Sequence, residues 1–243
     1  MLGLPQSVPV VARLSVLRIR DFMLPSLAPT TAQLRLLPDI IRQAAPKLWR
    51  HLTGVEPFYA LSGTLTMFAH NIERYHDIAR LFDVLLAREP AFSLYLFAQI
   101  VLDRQHEILE IDERDMLGVI LSKVPANMHL DKLITDSIAL YDHYPPDSLR
   151  AWRTISSASV LKTARDLDCC DKQTVDEGHE YFERQAKEVR WAELRGRIKT
   201  TLWAYRRPAR AAGMFVAVGV LAFYLNRHPS TLKYIFTLFS GRM

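Results

Sequence analysis

The chain has 243 residues, 49% of them hydrophobic and 10% aromatic, which suffices for one sizeable core and hardly for two full-sized ones. Its formal net charge is +5, yet the excess is local: residues 1–178 carry 19 Lys+Arg against 22 Asp+Glu, and residues 179–210 carry 9 against 4. That placement points away from nucleic acid and towards an anionic membrane surface.

In chain order, the opening MLGLPQSVPVVARLSVLRIRD has no basic region before its apolar residues and is interrupted by Pro5 and Pro9, so it does not read as a secretory signal. Val8, Val10, Val11, Leu14, Val16, Leu17 and Ile19 need a partner to bury them, like a segment cut off from something that preceded it. Pro25 and Pro29 end this piece. Thr30 or Thr31 then offers a cap for a helix bearing Leu34, Leu37, Ile40 and Ile41, up to Pro46. Gly54 and Pro57 mark the next turn. Phe58–Ile72 reads as a largely buried helix and Tyr75–Ala87 as an amphipathic one with Ile78, Phe82 and Leu85 on one face, stopped at Pro90. The twelve residues Ala91–Leu102 are too short to span a bilayer and suit the central helix of a bundle. A helix from Asp103 through Ile108 leads into the acidic turn Glu110, Asp112, Glu113 and Asp115, and a short helix runs to Val124-Pro125. Asp131–Tyr141 is amphipathic, and Tyr144-Pro145-Pro146 closes the packed region. No strand alternation, hairpin signal or internal repeat occurs, so the expected fold is all-α, a helical bundle over residues 1–150.

Residues 151–178 read as a weak helix and a linker, and the adjacent Cys169 and Cys170, which make no long-range staple, fit a reducing compartment. Residues 179–210 read as a charged, basic stalk helix in which Glu180–Arg184 and Glu183–Lys187 are favourable i, i+4 pairs. Then come the fifteen uncharged residues Ala211–Leu225, AAGMFVAVGVLAFYL. With its flank to residue 228 this run is expected to be a transmembrane anchor, the basic side placing the body in the cytosol. At about 1.5 Å per residue it reaches roughly 22 Å, short of the ~27 Å of an ER-type bilayer. Residues 229–243 are expected to be a short lumenal tail, with 231–239 interfacial.

No self-contained active site is visible. His106-Glu107 lacks a second His one turn on, and His70 and His76 do not share a helical face, so no metal site is expected. The acidic turn lacks the Gly and terminal Glu of a calcium loop. No glycine-rich phosphate loop is present, and Ser62, Ser156, Ser157 and Ser159 have no nucleophile-elbow context. No cofactor is expected.

Six segments then resemble one family when taken in order: RDFMLPSL at Arg20–Leu27, PFYALSGTLTMFAH at Pro57–His70, ARLFDVLLAREP at Ala79–Pro90, SLYLFAQIVLDRQHEIL at Ser93–Leu109, LSKVP at Leu121–Pro125 and YPP at Tyr144–Pro146. They are similar to the C-terminal half of a TBC domain, the helical catalytic domain of Rab GTPase-activating proteins, and most like its tail-anchored ER branch. The resemblance implies a Rab-family small GTPase as partner, a role in ER-to-Golgi transport and an ER-membrane location. It also implies an arginine and a glutamine finger from IxxDxxR and YxQ motifs, which in the family precede the point where this chain starts. Leu36–Arg42 fits LxxDxxR by letters, with Asp39 and Arg42, but lies after RDFM, out of the family order. No Tyr is followed two residues later by Gln. No catalytic residue is therefore assigned. The expected function is a Rab GTPase activator that is catalytically incomplete here, the alternative being a membrane-tethered helical adaptor without catalysis. Gly63 stands where the family usually has Trp, which would leave room in the core.

Overall fold

The computed structural model describes residues 4–125 and 128–227. It forms two compact units, one up to Val189 and one from Arg190 onward.

The first unit is built only of helices among its described residues. In order they are α1 (Leu4–Leu17), α2 (Ala28–Leu34), α3 (Leu36–Ala44), α4 (Pro46–His51), α5 (Leu61–Leu65), α6 (Tyr75–Ala87), α7 (Phe92–Asp103), α8 (Gln105–Leu109), α9 (Arg114–Ser122), α10 (Leu130–His143), α11 (Val160–Thr163), α12 (Leu167–Lys172) and the first turns of α13 (Val175–Arg227). The all-α expectation holds, and α7 is the central helix: Phe92, Leu94, Tyr95, Leu96, Phe97, Ala98, Ile100 and Val101 are all buried. An almost uniformly apolar helix must be covered on every side. Here α10 and α3 pack along it. Pro29 opens α2 near its first turn instead of ending a piece, as suits a residue lacking an N–H where none is needed.

Phe58–Ile72 is not one helix. A 3-10 turn at Pro57–Ala60 leads into the short α5, and the chain then reverses through Met67 and Phe68, whose φ values are 49° and 64°. Two left-handed non-glycine residues are strained, and the burial of Phe68 to 1% exposure against Phe97 offsets that strain. The same turn closes the room expected beside Gly63. A Cβ there would lie 3.0 Å from the Phe97 ring and 3.3 Å from Phe68.

Residues 151–178 do not form a linker over their first part. Trp152, Ile155, Val160, Leu161 and Ala164 are buried in the main core. These apolar residues are too sparse to show a helical period, because they belong to a 3-10 turn at Ala151–Thr154 and the four-residue α11.

In the second unit the described backbone is one helix, so the expected stalk and anchor are not separate elements but successive parts of α13. Among the described residues no helix is long and apolar enough to cross a membrane. The expected tail 229–243 lies outside the described residues.

Candidate functional site

Several of the family-like segments are tied to one another or to the rest of the first unit through single side chains. Arg20 and Asp21 of the RDFM segment are each 1% exposed. Asp21 Oδ2 accepts from Gln33 Nε2 of α2 at 2.5 Å and from the Ser159 hydroxyl at 2.5 Å, while the Val160 amide donates to Oδ1 at 3.1 Å. Arg20 donates to the carbonyls of Val16 at 3.0 Å and Ala158 at 2.9 Å and to the Thr163 hydroxyl, and stands 5.3 Å over the Tyr181 ring. Burial pushes the Asp21 carboxyl above its ordinary range, opposed by the Ser159 hydroxyl, the Val160 amide, Arg20 and Gln33. The pair thus fastens α1 and α2 to the 156–164 segment and to the start of α13. Beside it, Gly178 touches α1 so closely that a Cβ would fall 2.5 Å from Val16 Cγ1 and 2.8 Å from Leu17 Cδ2.

Other motif residues are engaged in the same way. Arg104 pairs with both carboxylate oxygens of Glu107 at 2.9 Å and donates to the Ile120 carbonyl at 2.9 Å and the Lys123 carbonyl at 2.7 Å, capping α9 in the LSKVP segment. A cation suits that end of a helix. The Tyr95 hydroxyl donates to the Tyr144 carbonyl at 2.5 Å, which anchors YPP to α7. Arg88 stands 5.0 Å over Phe92 and 5.5 Å over Tyr141.

The LxxDxxR letters resolve into another tie. Asp39 Oδ2 accepts the Ala151 amide at 2.7 Å, and Arg42 lies 3.5 Å from Asp39 Oδ1 with its side chain 24% exposed. Arg42 is held against its own helix and not extended from it.

Among the described residues the histidines form no metal-holding group. His70, His76 and His106 are exposed, and His51 Nε2 hydrogen-bonds the Ile111 carbonyl at 2.9 Å. Among the described residues no group of His, Cys, Asp and Glu could hold a metal ion. Both cysteines are free thiols with raised pKa, Cys169 through its bond to Asp166 and Cys170 through burial. A raised pKa suppresses thiolate, so neither is an activated nucleophile. Ser159 caps α11 and binds Asp21.

An open cleft of about 570 Å³ is lined by Val10, Arg13, Leu14, Arg18, Leu86 and Cys170. Its two arginines are engaged with helix ends. Arg18 donates to the carbonyls of Leu86 at 2.5 Å and Arg88 at 2.6 Å, and Arg13 to those of Cys170 at 3.0 Å and Asp171 at 3.2 Å. Elsewhere along α1, Val8, Val10 and Val11 are 64%, 52% and 58% exposed. The expectation that the opening apolar segment needs a partner is met for Val16 and Leu17, which are buried, and not for these valines.

Residues 6–109, from α1 through α8, match the Rab-GTPase-TBC domain family. The chain carries a Rab-GTPase-TBC domain at residues 6–109. It is 34% identical over 175 residues to "GTPase-activating protein gyp10" of Schizosaccharomyces pombe, a match covering 68% of this chain and 47% of that protein. It is 33% identical over 171 residues to "TBC1 domain family member 20" of Mus musculus, covering 68% of this chain and 42% of that protein, with the same figures for the Homo sapiens protein of that name. The chain thus spans less than half the length of the curated relatives it matches. The TBC residues RDFM reach beyond the matched range for their partners, since Ser159, Val160 and Thr163 lie past residue 109.

What sequence reasoning missed here is the 156–164 segment. One signal was present, a Ser-Ala-Ser-Val run with a potential N-cap at Ser159.

Proposed function

We propose that these residues are the helical scaffold of a Rab GTPase activator of ER-to-Golgi transport, and that by themselves they bind a Rab without accelerating its GTP hydrolysis. The TBC match and the name of the gyp10 relative support the activator reading. The observation that carries the second half is Asp39–Arg42: the LxxDxxR-like pair is fastened to Ala151. An arginine finger must project into a partner's nucleotide site, and it is worth on the order of 10³ to 10⁵ in turnover. Arg13, Arg18, Arg20 and Arg104 are likewise tied to carbonyls or carboxylates of their own chain.

The same reading holds the body at the cytosolic side of an ER membrane through Ala211–Leu225, supported by the uncharged run and its basic flank. Phosphate release from GTP-loaded Rab of the ER-to-Golgi step, with and without the chain, tests the catalytic half. Flotation with neutral phosphatidylcholine vesicles tests the anchor; a chain that stays at the bottom of the gradient contradicts it. Rab binding without any dependence on the bound nucleotide would favour the adaptor reading.

A further inference from the structure

The start of the second unit carries a feature that a simple stalk does not need. Trp191, Leu194 and Ile198 on α13 are 61%, 46% and 49% exposed. At 100° per residue they fall within about 60° of one another and form one narrow apolar stripe. Arg195 flanks it on one side and Arg197 on the other, with Lys199 beyond Arg195, all exposed. The exposed acid of this stretch, Glu193, points about 130° away from the stripe, and Trp203 also lies off it.

We propose that α13 from about residue 190 to 200 lies on an anionic phospholipid surface, with Trp191, Leu194 and Ile198 dipped into the interface and Arg195, Arg197 and Lys199 at the headgroups. Over residues 190–200 the helix separates its apolar and basic residues, as helices lying in a bilayer interface do, and its aromatic member suits headgroup depth. A second copy of the chain fits the stripe less well, because the residues beside the seam are of one sign and would face their like. Lipid is also favoured by the later turns of the same helix, where Met214, Phe215, Val216, Val218, Val220, Leu221 and Phe223 are exposed at 57% to 80% and point to all sides. The inference rests on the proposed membrane location and adds to it that this stretch, and with it the unbroken helix up to Arg227, lies along the surface instead of standing off it.

The test uses the full chain carrying Cys169→Ser and Cys170→Ser, with an environment-sensitive fluorophore attached through Ile198→Cys on the stripe or Thr200→Cys on the opposite side. Phosphatidylcholine vesicles with and without phosphatidylserine are added. The expected result is a blue shift, with quenching by brominated lipid, at position 198 on the phosphatidylserine vesicles only, and none at position 200. Adding Arg195→Gln, Arg197→Gln and Lys199→Gln to the position-198 chain should raise the lipid concentration for half the shift by about a hundredfold, at roughly 1 kcal/mol per basic residue. Three results overturn the proposal: a label at 198 that stays in water on the anionic vesicles, equal shifts at both positions, or a shift at 198 before any vesicle is added, which would show self-association. Flotation on neutral vesicles reads the apolar run separately. A chain that floats there without the position-198 shift keeps the anchor and loses this inference; one that shows the shift on anionic vesicles but does not float on neutral ones loses the anchor and keeps it.

Discussion

Asp39 Oδ2 accepts a hydrogen bond from the backbone amide of Ala151 at 2.7 Å, joining α3 to a segment 112 positions later in the chain. The residue that by its letters could belong to a finger motif is thereby a structural clamp. Asp39→Ala should destabilise the first unit by about 2–3 kcal/mol, because it removes a charged acceptor from a partly buried amide. Arg42→Ala, whose ion pair is partly solvated, should cost no more than about 1 kcal/mol. Urea unfolding of both variants checks the ordering. Equal and large losses would show that Arg42 has a further role.

Gly178→Ala opposes two effects. In a helix interior the substitution normally stabilises by about 1 kcal/mol, but here the new methyl would sit 2.5 Å from Val16 and 2.8 Å from Leu17. Neither side chain can swing away freely, since both are buried. Overpacking of this kind costs about 1–3 kcal/mol and should win. Thermal unfolding should show a loss for Gly178→Ala that Val16→Ala, added to it, partly restores. A gain in stability would mean that α1 and α13 do not pack as described.

Much of the first unit is legible from its residues. The spacing of Ile78, Phe82 and Leu85 with Pro90 behind them predicts a helix over Tyr75–Ala87, the range observed. The apolar run after Pro90, interrupted by Gln99, predicts the central helix, and α7 occupies that place. Features with no period to detect are not legible in the same way. Phe68 is buried by a left-handed turn, and Trp152, Ile155 and Val160 reach the core from irregular backbone. Neither leaves a repeat along the chain. Arg20 and Asp21 are visible as a motif, but their partner Ser159 lies 138 positions away from Asp21, a distance that local pattern cannot bridge.

Asp21 gives stability a falling slope with pH in the acidic range. Its carboxyl is pushed above its ordinary value by burial, so the native state holds this proton more tightly than the unfolded chain. Its contribution is then full below the ordinary carboxylate value and declines as pH rises to the raised one. Asp21→Asn should remove that slope, and Asp21→Ala should cost about 3–5 kcal/mol by leaving Arg20 buried beside no carboxylate. Denaturant midpoints measured across the acidic range separate the two effects. An unchanged slope in Asp21→Asn would contradict the assignment.

Glu107 works with the opposite sign. Its carboxyl is held below the ordinary range first by the hydrogen bonds from Arg104, so its contribution is present above the ordinary value and is lost as pH falls through the lowered one. Glu107→Gln should flatten that acid-side decline with a small effect near neutrality, because the carboxylate is largely solvated. Arg104→Ala should be the more damaging change, by about 1–3 kcal/mol, since it also uncaps the carbonyls of Ile120 and Lys123. Denaturant titrations at neutral and acidic pH read both, and a larger loss for Glu107→Gln at neutral pH would contradict this order.

What is proposed above is that the TBC domain at residues 6–109 holds its LxxDxxR-like pair as a clamp and not as a finger. It is tested most directly by single-turnover phosphate release from GTP-loaded Rab of the ER-to-Golgi step, with the chain in excess and Arg42→Ala beside it. Neither protein is expected to change the intrinsic rate. Acceleration on the order of 10³-fold or more by the chain, abolished in Arg42→Ala, is the size expected of an arginine finger and would contradict it.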